Sequence, residues 1–95
     1  MLNINRIIWK EIFIKKIENK HQVTMAEVDE ILYGKKKVYR MAKGDVKGEN
    51  VYLALGKTRA GRYLSVFFIL KKNNEVLPIS ARDMDNKERR KYGHA

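Results

Sequence analysis

The residues able to do chemistry in this chain are mostly arginines, lysines and tyrosines, and they gather near turns and strand ends. Lys35, Lys36, Lys37, Arg40, Lys43 and Lys47 stand against the single carboxylate Asp45, and Lys57, Arg59 and Arg62 follow with no acid among them. Trp9, Tyr39, Tyr52, Tyr63 and Tyr92 add aromatic surface, and His21 adds an imidazole. Such a set can bind RNA and also cleave it. RNA carries its own nucleophile, the 2′-OH, so a protein need only orient it, assist proton transfer and stabilise the crowded phosphate with cations. Arg82 and Arg62 are candidates for the phosphate, and His21 or Tyr92 for proton transfer. Lys36, Lys37, Arg40, Lys57, Arg59, Arg89 and Arg90 are candidates for binding the RNA backbone. Each type also has a plain structural role: tyrosine packs amphipathically, a lone histidine sits in a loop, and Arg89 and Arg90 decorate a solvated helix face.

Other chemistries find no support. There are no cysteines, which removes disulfides, thiol nucleophiles and thiolate metal sites and fits a reducing, cytoplasmic setting. His21, His94 and the scattered carboxylates lack ligand spacing, so no metal and no cofactor is expected. Ser65 and Ser80 fall within strands without a glycine elbow, and Gly56-Lys57-Thr58 lacks the upstream glycine of a phosphate loop. The longest apolar runs are far short of the roughly 20 residues of a membrane span. A formal charge of +10, from 21 Lys and Arg against 11 Asp and Glu, calls for a polyanion or an acidic protein partner. Ninety-five residues suit one domain, 1–95.

The elements that must position these groups are organised around a hairpin. The runs Arg62 to Leu70 and Glu75 to Ala81 are rich in β-branched and aromatic residues, and the Asn73-Asn74 pair between them tolerates the left-handed backbone of a tight turn. Leu64, Val66, Phe68 and Leu70 oppose Tyr63, Phe67 and Ile69, as on a central strand covered on both sides. In the second run, alternation predicts Leu77, Ile79 and Ala81 on one face and Val76, Pro78, Ser80 and Arg82 on the other. Pro78 lacks a donor and marks a sheet edge or a bulge.

Asn5 to Trp9 reads as a first strand. Lys10 to Lys20 reads as an amphipathic helix through Phe13, Ile14 and Ile17, although Ile12-Phe13-Ile14 could also extend a strand. Thr24 with Glu27 is a capping box that opens a helix over Met25 to Tyr33, with Gly34 placed to end it in a left-handed turn. Lys37 to Met41 and Val51 to Lys57 pair as a second hairpin across Ala42 to Asn50, and Thr58-Arg59-Ala60-Gly61 turns the chain into the central strand. Asp85 with Glu88 caps a last helix through Tyr92, closed by Gly93, which lies over the open sheet face or docks on a partner. The predicted fold class is α+β: a mostly antiparallel sheet with two N-terminal helices on one face and a C-terminal helix.

The run Leu53-x-Leu55-Gly56-Lys57-Thr58-x-x-Gly61-Arg62-x-Leu64-x-Val66-x-Phe68, followed by Ile79-Ser80-Ala81-Arg82-x-Met84-x-x-x-Glu88-Arg89-Arg90-x-Tyr92, resembles the BrnT family. Trp9 and Lys20-His21-x-Val23 before Thr24 extend the likeness over nearly the whole chain. The resemblance implies a RelE-like fold, a toxin of a type II toxin–antitoxin system, metal-independent RNA cleavage and translation arrest. It also implies a ribbon-helix-helix antitoxin as partner, in a hetero-oligomer of two toxin copies on an antitoxin dimer. Gln22 stands where the family usually has glycine, Ile17 where a polar residue is common, and Pro78 in a strand that is usually continuous. The other reading of the same basic surface is a non-catalytic module that binds nucleic acid or an antitoxin within a repressor complex.

Overall fold

In the computed structural model, which describes residues 2–43 and 50–93, the elements follow the predicted order. They are β1 (Arg6–Ile7), α1 (Glu11–His21), α2 (Met25–Tyr33), β2 (Lys36–Lys43), β3 (Asn50–Lys57), β4 (Tyr63–Leu70), β5 (Glu75–Asp83) and α3 (Asn86–Tyr92). Most of the β2–β3 connection, residues 44–49, lies outside the described residues, as does His94. The strands form one sheet in the order β1-β5-β4-β3-β2, antiparallel except for the short parallel pairing of β1 with β5.

Local signals account for most element boundaries. Asn73 and Asn74 take φ of 62° and 57° in the β4–β5 turn, the left-handed backbone that asparagine tolerates better than most residues. Thr24 Oγ1 accepts from the Glu27 N–H at 3.1 Å while Glu27 Oε1 accepts from the Thr24 N–H at 3.0 Å, closing the capping box of α2. The matching box of α3 has Asp85 Oδ1 accepting from the Glu88 N–H at 2.7 Å and Glu88 Oε1 accepting from the Asp85 N–H at 3.0 Å. In the β3–β4 turn, Gly61 has φ of 93° and donates to the Thr58 carbonyl at 2.9 Å.

Gly34 differs from expectation. It ends α2 in extended backbone at φ −93°, and space rather than handedness demands glycine there: a Cβ would lie 2.5 Å from the Glu30 carbonyl oxygen. The left-handed helix terminus belongs to Gln22 after α1, at φ 52°, whose N–H donates to the Glu18 carbonyl at 3.0 Å.

One sheet face carries the core. Gly56, Leu64 and Asp83 are in register, as are Val38, Ala54, Val66 and Ala81, then Tyr52, Phe68 and Pro78. On this inner face Ala54, Leu64, Val66, Phe68, Val76 and Ala81 bury themselves with Ile17 of α1, Val23 of the α1–α2 link and Val28, Ile31 and Leu32 of α2. Phe68 is fully buried and stacks on Tyr52 at a centroid distance of 5.7 Å. Truncating it to alanine would cost about 3–5 kcal/mol.

β5 departs from strict alternation. Phe67 pairs with Ser80 and Phe68 with Pro78, so Ile79 is the extra residue of a bulge, where a residue without an N–H is tolerated. The bulge resets the faces. Val76, Pro78 and Ala81 share the inner face, while Leu77, Ser80 and Arg82 share the outer one with Ile69, Phe67 and Ser65. Arg82 is thus on the same face as Leu77, and of Leu77, Ile79 and Ala81, the three predicted opposite it, only Ala81 is placed so, Ile79 being the bulge residue. Cover on β4 is also less than expected: α3 meets the outer face at Ser65 and Tyr63, and Phe67 and Ile69 stay half-buried.

Candidate nucleic-acid interface

The outer face is built around Arg82. Its Nη1 and Nη2 donate to Glu88 Oε1 and Oε2 at 2.7 and 2.8 Å, an end-on pair, and the guanidinium lies 5.2 Å from the Phe67 ring centroid. Glu88 is the capping residue of α3, so the bonds that start the helix also aim the arginine. Ser65 Oγ–H completes the clamp by donating to Glu88 Oε1 at 2.9 Å. Burial pushes the Glu88 carboxyl up, but the bonds from Arg82, the Asp85 N–H and Ser65 outweigh it and hold the group below its usual value. A carboxylate so saturated is a poor proton acceptor and a good anchor. Arg82 keeps about a third of its side chain exposed, and its Nε–H and second Nη2–H make no hydrogen bond among the described residues. Those two donors form the side-on fork that fits a phosphate.

Next to this clamp on the same face, Tyr63 is the hub of a cation–aromatic array. Arg89 stacks on its ring at 3.5 Å, Lys57 lies 5.2 Å from its centroid, and Tyr92 meets it edge-on at 5.9 Å. Lys37 stands 5.9 Å over the Tyr92 ring, and Lys91 covers Tyr39 at 4.0 Å. Alternating rings and cations over a sheet suit bases and phosphates of single-stranded RNA.

Arg62 and His21 lie elsewhere. Arg62 donates through Nε to Asp83 Oδ1 at 2.8 Å, through Nη1 to the Gln22 carbonyl at 2.8 Å and Glu27 Oε1 at 3.1 Å, and through Nη2 to the His21 carbonyl at 3.1 Å. Its fork is consumed in tying the α1–α2 link to the ends of β4 and β5. The Arg62 bond, with His21 nearby, holds the Asp83 carboxyl below the ordinary aspartate value. Asp83 is in register with Leu64 on the inner face, so Arg62 and His21 gather there while Arg82 and Tyr92 gather on the outer face.

Of the expected backbone-binding residues, Lys37, Lys57 and Arg89 belong to the outer array. Arg90 is exposed on α3. Arg40 is exposed in register with Tyr52 on the inner face. Lys36 is buried along most of its side chain, in register with Gly56 on the inner face rather than on the outer array, and burial pushes its ammonium pKa down. Glu88 and Asp83 went unrecognised as site residues from sequence, the first because its capping spacing already explained it, and Tyr63 read only as one of several aromatic surfaces.

At the sheet end, α2, the β3–β4 turn and Tyr92 enclose a cleft of about 550 Å³ lined by Asp29, Glu30, Tyr33, Lys35, Lys57 and Arg59. Lys57, Arg59 and Tyr92 were expected at an RNA site; Asp29 and Tyr33 read only as helix residues. Among the described residues no three potential metal ligands cluster, and no helix is long and apolar enough to cross a membrane.

These features define a small, basic α+β protein whose outer sheet face buries Leu53, Leu55, Ser65 and Leu77 and carries cations and rings above them. The family model for the ribonuclease toxin BrnT of type II toxin–antitoxin systems matches residues 9–88. The chain belongs to that family. The crystal structure of the Brucella abortus ribonuclease toxin BrnT, at 1.1 Å, is similar with a TM-score of 0.64 at 23% identity, over 85% of this chain and 97% of that one. The two share a fold. No curated protein matches by sequence.

Proposed function

We propose that this chain is an endoribonuclease that cleaves RNA without a metal ion and so arrests translation. In this reading the 2′-OH attacks the adjacent phosphate, the 5′-oxygen leaves with a proton, and a 2′,3′-cyclic phosphate remains. Arg82 carries the reading. Its free side-on fork meets the phosphate while Glu88 keeps it aligned, so little reorganisation is needed as charge develops. Tyr92 shares that face and is the candidate for proton transfer; His21, on the other face, serves through the carbonyl that Arg62 holds. Lys37, Lys57 and Arg89 steer and seat the backbone.

The antitoxin is of the ribbon-helix-helix class, dimeric, with two toxin copies on it, and an acidic or amphipathic segment of it covers the outer face and α3. Purified protein incubated with RNA, with and without EDTA, tests the enzyme. Cleavage indifferent to EDTA, with cyclic-phosphate ends, is expected; cleavage that EDTA abolishes would end the metal-free reading. The second reading, a module that only binds nucleic acid or antitoxin, is favoured by one observation: Arg62 and Arg82 are both already paired with carboxylates. RNA that is bound and left intact would establish it.

A further inference from the structure

The cleft beside α2 has the composition of a base-reading pocket. Asp29 and Tyr33 are four residues apart and therefore share one face of the helix, a turn from each other. Asp29 is partly buried, yet its carboxylate makes no hydrogen bond or ion pair among the described residues, whereas its neighbour Glu30 is occupied by the Arg59 N–H at 2.9 Å. Loss of solvent raises the Asp29 pKa, as befits an acceptor pair that water serves poorly. Tyr33 is 56% exposed, among the largest uncovered apolar surfaces of the described residues. Lys57, at the end of β3, and Arg59, in the following turn, line the same cleft. About 550 Å³ falls within the range of small-ligand clefts.

We propose that this cleft is a subsite for a guanine nucleotide of single-stranded RNA. The base lies against Tyr33, its Watson–Crick edge meets the Asp29 carboxylate, and its phosphate meets Lys57 and Arg59. A carboxylate only accepts hydrogen bonds. Guanine alone presents two donors side by side on that edge, N1–H and N2–H. Adenine and cytosine set an acceptor beside their amino group, and uracil flanks its single donor with carbonyls, so each turns a lone pair toward the carboxylate. Tyr33 contributes a stack that does not discriminate, and Asp29 contributes the choice. The inference rests on the ribonuclease reading only for its source of ligand.

The test is an NMR titration of the full chain with GMP, AMP, CMP and UMP, which needs no cleavage. GMP should bind roughly tenfold tighter than UMP and shift the amides of Asp29, Tyr33 and Arg59. Asp29→Asn should erase the preference. Tyr33→Ala should weaken all four by roughly tenfold, within the range for one base–aromatic stack, and Tyr33→Phe should restore binding. Equal affinity for the four nucleotides, shifts confined to the Arg82 face, or a guanine preference that survives Asp29→Asn would each overturn the proposal. The wild-type comparison decides even where a variant fails to fold. Guanine binding without RNA cleavage would defeat the ribonuclease reading and leave the subsite, while cleavage with no change of site preference in Asp29→Asn would do the reverse.

Discussion

Replacing Arg62 by alanine should damage the fold more than any site chemistry. The guanidinium joins four segments, reaching Asp83, Glu27 and the carbonyls of His21 and Gln22. Hydrogen bonds that involve a charged partner contribute roughly 1.5–3 kcal/mol each when shielded. The Asp83 arm must be discounted, because that side chain is 66% exposed and surface pairs contribute only about 0–1 kcal/mol. The Glu27 arm counts for more, with side chains 27% and 23% exposed, and the two carbonyls lose their donor as well. Together these give a loss of roughly 2–4 kcal/mol. In a domain of this size that lowers the melting midpoint by roughly 10–25 °C. Urea denaturation is the assay, with the midpoint falling and the slope unchanged. Arg62→Lys should recover only a fraction, since one ammonium cannot replace a fork. A second readout comes from pH. Asp83 is depressed in the folded state, so its contribution is complete above the unfolded value near 3.9 and is lost as pH falls through the folded value. The variant should therefore show a flatter acid limb than the wild type. An Arg62→Ala protein within 1 kcal/mol of wild type, with the same acid limb, would refute the account of Arg62 as a staple.

Other outcomes follow from the same contacts. Arg82→Ala should slow RNA cleavage by roughly 10²-fold or more and also lower stability, because Glu88 is left with its charge unpaired; Arg82→Lys should be intermediate, and Glu88→Gln should slow cleavage with Arg82 still present. Cleavage rates and melting midpoints on the same preparations check this. Gln22→Gly should raise stability by roughly 0.5–1 kcal/mol, since glycine removes the strain of a left-handed residue after α1; a lower melting midpoint would count against it. Lys36→Met should leave RNA affinity unchanged, and Lys37→Glu should weaken it across sequences and flatten its salt dependence, which filter binding at several salt concentrations would show. Antitoxin and RNA should compete for the outer face, and a ternary complex with independent binding would exclude that.

What the amino-acid sequence determined alone was whatever depends on neighbours three or four residues apart. The Thr24–Glu27 and Asp85–Glu88 boxes, the Asn73-Asn74 turn and the order of elements are of this kind, because caps and turns close within one helical or hairpin turn. The basic, aromatic character of the site was legible for the same reason: composition needs no register. The tertiary structure decided where long side chains end. One extra residue at Ile79 moved Arg82 onto the face of Leu77, since strand alternation has a period of two and a bulge shifts it by one. Arg62 found partners 21 to 41 positions away, Lys36 came to lie buried on the inner face, and Asp29 came to line one cleft with Lys57 and Arg59. Side-chain partnership at such separations is fixed by how strands register and helices pack, and no local pattern encodes it.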